Sequence, residues 1–169
     1  MSYILRHAPG KYSLQLDKNG YADLDKVLDV LSKRFRDFKK EDLFTLIEND
    51  SKDRFEVTAK GIRATYGHSV DVQPEQGDVE PPEILYHGTS KESADKIFHE
   101  GLKPMGRKFA HLSTDEKDAY EVGLRHAKEP IIVKIMAEKA GRDGIKFFKG
   151  GNLFLAEFIP AEYIEINSK

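Results

Sequence analysis

Two histidines each lie at the end of a short apolar run and next to small polar residues. His87 lies in ILYHGTS, residues 84–90, and His111 lies in FAHLSTD, residues 109–115. Neither run shows the ligand spacing of a metal site. An imidazole beside a hydroxyl offers hydrogen-bond donors and acceptors without a carboxylate. That chemistry suits a ligand rich in hydroxyls and phosphates better than a metal ion, although a lone histidine is more often structural.

The neighbours of the two histidines extend this pattern. Gly88 has no side chain, so we expect a ligand to approach the backbone closely at this point. Thr89 adds a hydroxyl after the first imidazole, and Ser113 adds one after the second. If the two strands lie side by side, their ends form one polar slot.

Three arginines point to the same kind of ligand. They occur in Arg6-His7, in the stretch IRATYGHS around Arg63, and in Arg125-His126. They stand beside polar or small residues rather than in helical i, i+4 patterns with acids. A guanidinium presents a planar fork of donors that matches phosphate oxygens. Taken singly, each is more often a solvated surface arginine, so only the group indicates phosphate binding.

Composition limits the possible classes of protein. The 169 residues can form one ordinary domain or two small lobes. The absence of cysteine excludes disulfides, thiolate catalysis and Cys-based zinc sites. No apolar run approaches the roughly 18 residues of a membrane span, and no signal peptide opens the chain, so we expect a cytoplasmic protein without a membrane partner. The net charge of −2 leaves room for a local basic cleft only.

The elements before residue 70 predict a winged-helix lobe. A first helix ends at Pro9-Gly10, residues 12–16 alternate as a strand, and Asn19-Gly20 indicates a turn. Asp23 is placed to cap a helix with apolar positions over 24–31, and a second helix covers 43–47. Two strands, 54–57 and 62–67, then form the wing. Such a lobe is common in nucleic-acid binders and in protein-interaction modules.

A different pattern follows residue 83. Residues 71–83 contain three prolines and five acidic residues, which predicts a linker. The remaining lobe, 84–169, is predicted to be α+β with Ser90 and Thr114 as helix N-caps. Its predicted helices are 90–100 and 114–127, and its predicted strands are 84–86, 110–113, 131–136, 145–148, 153–155 and 163–166.

Taken in order, these stretches resemble the RNA 2′-phosphotransferase family. The residues that carry the resemblance are ILRHAP (4–9), DKNGYADLDKVL (17–28), RFEV (54–57), IRATYGHS (62–69), LYHGTS (85–90), GLKPMGR (101–107), HLSTD (111–115), VGLRHAK (122–128), GIKFF (144–148) and IPAEYI (159–164). They span nearly the whole chain. The resemblance implies an α+β protein with an N-terminal winged-helix RNA-binding lobe and an ADP-ribosyltransferase-like mixed α/β catalytic lobe that binds NAD.

The resemblance also assigns roles to residues. It implies a catalytic set of Arg6, His7, Arg63 and Arg125, with Arg107 as the alternative for the fourth member. No metal is expected. The resemblance also implies that a hydrophobic residue, Leu153, stands where many ADP-ribosyltransferases have glutamate. The residues implied to bind NAD are His87, Gly88, Thr89, His111, Leu112, Ser113 and Leu153.

The implied reaction removes an internal 2′-phosphate from RNA, as at a tRNA splice junction. The phosphate is transferred to NAD through a 2′-phospho-ADP-ribosylated RNA, which yields 2′-OH RNA, ADP-ribose 1″,2″-cyclic phosphate and nicotinamide. The expected partners are therefore RNA with an internal 2′-phosphate and NAD, and the protein is expected to be a monomer. Two alternatives stay open: an ADP-ribosyltransferase with another acceptor, such as a terminal nucleic-acid phosphate, and a non-enzymatic binding module.

Overall fold

The protein is an α+β protein made of two compact units. A computed structural model describes residues 1–75 and 77–166, except for the side chain of Ile166. The chain divides into Met1–Glu75 and Gln76–Lys169. The expected α+β class is confirmed by this mixture of helices and sheets. No helix in the described part of the chain is long and apolar enough to cross a membrane.

Three helices and a 3₁₀ turn begin the first unit. They are α1, Ser2–Arg6; a 3₁₀ helix, Pro9–Tyr12; α2, Leu24–Arg34; and α3, Lys40–Glu48. The predicted cap of α2 is confirmed, because the Asp23 side chain accepts a hydrogen bond from the Lys26 amide. The predicted strand over 12–16 is wrong. Pro9 fixes φ at a helical value and starts the 3₁₀ helix, which ends at Ser13 with φ of 55°.

A two-stranded hairpin completes the first unit. β1, Phe55–Thr58, pairs antiparallel with β2, Gly61–Ala64. Gly61 has φ of 124°, and a Cβ at this position would lie 2.1 Å from the carbonyl oxygen of Ala22. The hairpin therefore requires glycine here. Ile62 forms a bridge with Ala22 and is fully buried in the core of this unit.

The α-helices described in the second unit, over residues 77–166, are α4, Lys91–Glu100; α5, Glu116–Gly123; and α6, Ala137–Arg142. Its described strands are β3, Ile84–Thr89; β4, Ala110–Leu112; β5, Ile131–Met136; β6, Phe148–Gly150; β7, Leu153–Ala156; and β8, Ile164–Ile166. These strands form two three-stranded antiparallel sheets, in the orders β3-β5-β8 and β4-β7-β6. A bridge between Tyr86 and Ser113 joins β3 to the end of β4.

Two predictions for the second unit are wrong in detail. Of the predicted strand 145–148, only Phe148 lies in β6, because Phe147 is fully buried and its backbone bonds instead to Asp78 and Val79. Thr114 does not cap α5. The cap is Asp115, whose carboxylate accepts from the amides of residues 117 and 118 and suits the positive end of a helix. Ser90 does cap α4, as predicted.

The segment predicted as a linker is docked at both ends. In the first unit, Val72 is buried, and the Gln73 amide donates to the Lys18 carbonyl at 2.7 Å. In the second unit, Val79 packs against the hydrophobic core. Each half of the segment is therefore fastened to its own unit.

Candidate functional site

Arg6 is held at the end of α1 by aromatic rings. Its guanidinium carbon lies 4.9 Å from the centre of the Tyr66 ring and 5.5 Å from that of Phe55. Gly67 has φ of 86°, and a Cβ there would come within 3.2 Å of the Arg6 guanidinium. The absence of a side chain at Gly67 lets the arginine lie against the backbone. Stacking of this kind fixes the plane of the guanidinium.

His7 is fastened to the same stretch of chain. Its Nδ1 lies 3.0 Å from the hydroxyl oxygen of Ser69, and the Ser69 amide donates to the Arg6 carbonyl at 2.9 Å. His7 itself is exposed. The Gly67-His68-Ser69 stretch therefore positions both residues of the predicted Arg6-His7 pair.

His68 is a buried histidine that sequence reasoning missed. It is 7% exposed, and its Nε2 has no hydrogen-bond partner within residues 1–75 and 77–166. Burial, reinforced by the nearby positive charges of Arg6, His7 and Arg63, lowers its pKa to about 4. The imidazole is thus neutral at neutral pH. The charges of Arg6, His7 and Arg63 all contribute to this lowering of the His68 pKa.

Arg63 has acidic partners that its local sequence does not reveal. Its Nε and Nη2 each lie 2.7 Å from Glu56 Oε2, and Nη2 lies 2.9 Å from Glu75 Oε2. The guanidinium carbon lies 4.6 Å from the centre of the Tyr21 ring. Glu56 is directly opposite Arg63 in the β1–β2 hairpin. This pair forms across strands, so a search for helical i, i+4 spacing does not reveal it.

The two predicted histidines of the second unit lie side by side. Nδ1 of His87 is 3.0 Å from the carbonyl oxygen of His111. The Tyr86 amide donates to Ser113 at 2.8 Å, and the Ser113 amide donates back at 2.9 Å. Since a carbonyl only accepts, Nδ1 of His87 carries the hydrogen and Nε2 is an acceptor when the ring is neutral. Burial lowers the pKa of His87, which favours this neutral form.

His111 has the opposite tautomer. Its Nδ1 lies 2.8 Å from Nη1 of Arg107, and a guanidinium only donates. Nδ1 therefore accepts, and Nε2 of the neutral ring carries the hydrogen. The neighbouring imidazoles offer one acceptor and one donor.

The other predicted residues of this group have different surroundings. Thr89 and Ser113 are buried hydroxyl residues that follow His87 and His111 by two positions in the sequence. Leu112 is fully buried in the core, so only its backbone is available to a ligand. Leu153 begins β7, one step beyond the pair that Leu112 forms with Phe154.

Packing against α5 gives a structural reason for glycine at position 88. A Cβ at this position would lie 1.8 Å from the carbonyl oxygen of Ala119 in α5. The missing side chain therefore lets α5 pack closely against β3. Gly123, at the end of α5, packs against the same side of Gly88, since a Cβ on Gly88 would also lie 3.0 Å from the Gly123 nitrogen.

The two candidates for the fourth catalytic arginine differ in their contacts. Arg107 donates to His111, as described above. Arg125 is exposed in the turn after α5; its amide donates to the Val122 carbonyl. Within the described residues, its side chain makes no hydrogen bond or ion pair. No group of three or more His, Cys, Asp or Glu side chains in the described part is arranged to hold a metal ion.

Comparison with known proteins identifies the family. Residues 1–155 match the family described as "RNA 2'-phosphotransferase, Tpt1 / KptA family". A "Probable RNA 2'-phosphotransferase" of Bacillus thuringiensis subsp. konkukian is 44% identical over 170 residues, covering 99% of this chain and 92% of that protein. One from Acetivibrio thermocellus is 38% identical over 167 residues, covering 97% and 92%, and one from Thermococcus kodakarensis is 36% identical over 167 residues, covering 98% and 93%.

The matched regions include both groups of residues described above. The chain belongs to the RNA 2′-phosphotransferase, Tpt1/KptA family. This confirms the resemblance read from the sequence, and with it the expected class of enzyme.

Proposed function

We propose that this protein removes an internal 2′-phosphate from RNA by transferring it to NAD, with release of nicotinamide. Family membership supports the RNA 2′-phosphotransferase activity. The observation that carries the finer proposal is that Arg6 and Arg63 each stack on a tyrosine ring of the first unit, with His7 fixed beside Arg6 by Ser69. The proposal includes the two-step course through an RNA-linked intermediate that the resemblance implies.

In this proposal the first unit is a winged-helix lobe that binds RNA. Helices α2 and α3 are followed directly by the β1–β2 hairpin, which is the element order of such lobes. Arg6 and Arg63 bind oxygens of the RNA phosphate, and each stacks on a tyrosine, Tyr66 or Tyr21. Stacking orients the guanidinium planes before the phosphate arrives, so the guanidinium groups themselves need little reorientation on binding. Each such donor contributes about 10²–10³-fold to the rate.

The second unit, in the same proposal, is an ADP-ribosyltransferase-like lobe that binds NAD. NAD supplies the ribose carbon from which nicotinamide departs. The residues fit such a co-substrate because Nε2 of His87 accepts a hydrogen bond and Nε2–H of His111 donates one. Thr89 and Ser113, each two residues beyond one of these histidines in the sequence, are buried and add hydroxyl groups. Ribose hydroxyls and a carboxamide both require such mixed donors and acceptors.

The absence of a glutamate at the position of Leu153 agrees with the proposed acceptor. A protein or hydroxyl nucleophile would need a base to remove its proton. A 2′-phosphate is already anionic at neutral pH, so it needs positioning more than deprotonation. Arginines that position the phosphate are therefore more useful to this reaction than a carboxylate that would remove a proton. Arg125 is proposed as the fourth of these residues.

Arg63→Ala, paired with Arg36→Ala, tests the proposal. Arg36 is exposed and makes no hydrogen bond or ion pair with any described residue, so its loss changes the charge of the same unit without touching the cluster. Single-turnover dephosphorylation of a 2′-phosphorylated RNA is expected to fall about 10²-fold or more in Arg63→Ala only. NAD binding, followed by calorimetry, should survive in both variants. Equal rates in the two variants would refute the role of Arg63.

A further inference from the structure

Three hydrogen-bond donors of the first unit converge on the carboxylate of Glu75. The Tyr21 hydroxyl lies 2.9 Å from Oε2, Arg63 Nη2 lies 2.9 Å from the same oxygen, and Lys60 Nζ forms an ion pair with Oε1. Two cations and a hydroxyl around one anion are the composition of a phosphate site. Here the anion is part of the chain.

Arg63 pairs with two carboxylates, Glu56 and Glu75, which are held in different ways. Glu56 is fixed by its place in β1, opposite Arg63 in the hairpin. Glu75 follows Pro74 in a segment without helix or strand. This segment is fastened by the Gln73 amide and by the Asn19 side chain, which donates to the carbonyls of residues 73 and 74 at 3.3 and 3.5 Å. Apart from the contacts of Glu75 itself, these three hydrogen bonds hold the segment around residues 73–75, so local opening at Glu75 costs little.

We propose that Glu75 occupies an anion-binding site formed by Lys60, Arg63 and Tyr21, and that a phosphate of the RNA displaces it. The inference rests on the proposed function, because it takes RNA as the ligand. The ligand chemistry is a phosphate oxygen, supplied either by the 2′-phosphate or by a backbone phosphodiester. Glu75 is then an internal competitor of the substrate.

The charges of the site support competition. Lys60 and Arg63 supply two positive charges, and Glu56 and Glu75 supply two negative ones, so the charges cancel while Glu75 is in place. Hydrogen bonds from Lys60 and Tyr21 lower the pKa of Glu75, so its carboxylate is ionised throughout the neutral range. When Glu75 leaves, a net positive site with oriented donors remains. The Glu75 side chain is 28% exposed and that of Lys60 is 59% exposed, so an RNA phosphate can reach them.

Binding of RNA in the absence of NAD tests the inference without turnover. The protein variants are Glu75→Gln and, as a matched control, Glu48→Gln. Glu48 is an exposed glutamate of α3 that forms no ion pair with any described residue, so its replacement makes the same change in net charge. The probes are a fluorescently labelled RNA with one internal 2′-phosphate and the same RNA without it, followed by anisotropy.

Glu75→Gln is expected to lower the Kd by about three- to ten-fold relative to Glu48→Gln, since a charged competitor is removed. The slope of log Kd against log salt concentration should become steeper, by about the amount that one additional phosphate contact contributes. Adding Lys60→Gln to Glu75→Gln should abolish the gain, whereas a merely structural role of Glu75 would not produce this dependence. A gain confined to the 2′-phosphorylated RNA identifies that phosphate as the ligand, and an equal gain for both RNAs identifies a backbone phosphate.

Different results would overturn the inference and the proposed function. If Glu75→Gln binds both RNAs no more tightly than Glu48→Gln, Glu75 is a structural partner of Arg63 and the inference is overturned. The proposed function fails separately, when the wild-type protein binds RNA but does not remove its 2′-phosphate in the presence of NAD. Because binding is measured without NAD, the two failures are distinguishable.

Discussion

Lowering the pH should weaken the first unit through His68. This ring is buried, and its pKa is lowered from 6.5 to about 4 in the folded protein. Between these values the unfolded chain binds a proton that the folded chain does not, so stability rises with pH in this range. The contribution is complete above the unfolded pKa and is lost as the pH falls from 6.5 towards 4. The full difference corresponds to about 3 kcal/mol.

Denaturant unfolding of the wild type and of His68→Gln measures this effect. Glutamine cannot be protonated, so the variant lacks the His68 contribution to the pH dependence. His87, whose pKa is also lowered by burial, is present in both proteins and cancels in the comparison. From about pH 7 to about pH 4.5, the wild type should lose about 2–3 kcal/mol more unfolding free energy than the variant. Parallel pH profiles would refute the assignment of a buried neutral ring.

Two further predictions concern α5. Gly88→Ala should destabilise the protein by at least about 2–3 kcal/mol in denaturant unfolding, because its Cβ would collide with the carbonyl of Ala119. Gly106→Ala is the control and should change stability little, because a Cβ at position 106 meets no atom within 4 Å. Similar losses of stability in the two variants would contradict the packing of α5 against β3. Asp115→Ala should cost about 1 kcal/mol through loss of the α5 cap, measured by the same unfolding assay. Thr114→Ala should leave stability nearly unchanged, and the reverse order would mean that Thr114 is the cap after all.

Local patterns predicted the elements that depend on local physics. The apolar run 131–136 is β5, and the amphipathic stretch after Ser90 is α4. The predicted strand 12–16 failed because Pro9 and the positive φ of Ser13 favour a 3₁₀ turn over an extended chain. Phe147 failed as a strand residue because its backbone bonds to two partners distant in the sequence, the Asp78 carboxylate and the Val79 amide, which no local pattern reveals.

The candidate site was predictable in residue type but not in partners. The resemblance indicated His87, His111 and Arg63 from their motifs. It did not indicate that Arg107 sets the tautomer of His111, or that Glu75 forms an ion pair with Arg63. These contacts join residues on different elements, so they follow from tertiary packing. Burial of His68 also depends on packing and could not be read from the letters GHS.

The central claim is most directly tested by following two products together. The wild-type protein is incubated with an RNA carrying one internal 2′-phosphate, with and without NAD, while RNA dephosphorylation and free nicotinamide are both measured. The account predicts phosphate loss only with NAD, accompanied by an equal amount of nicotinamide. Release of nicotinamide with the 2′-phosphate intact would contradict the proposed acceptor, and phosphate loss without NAD would contradict the proposed co-substrate.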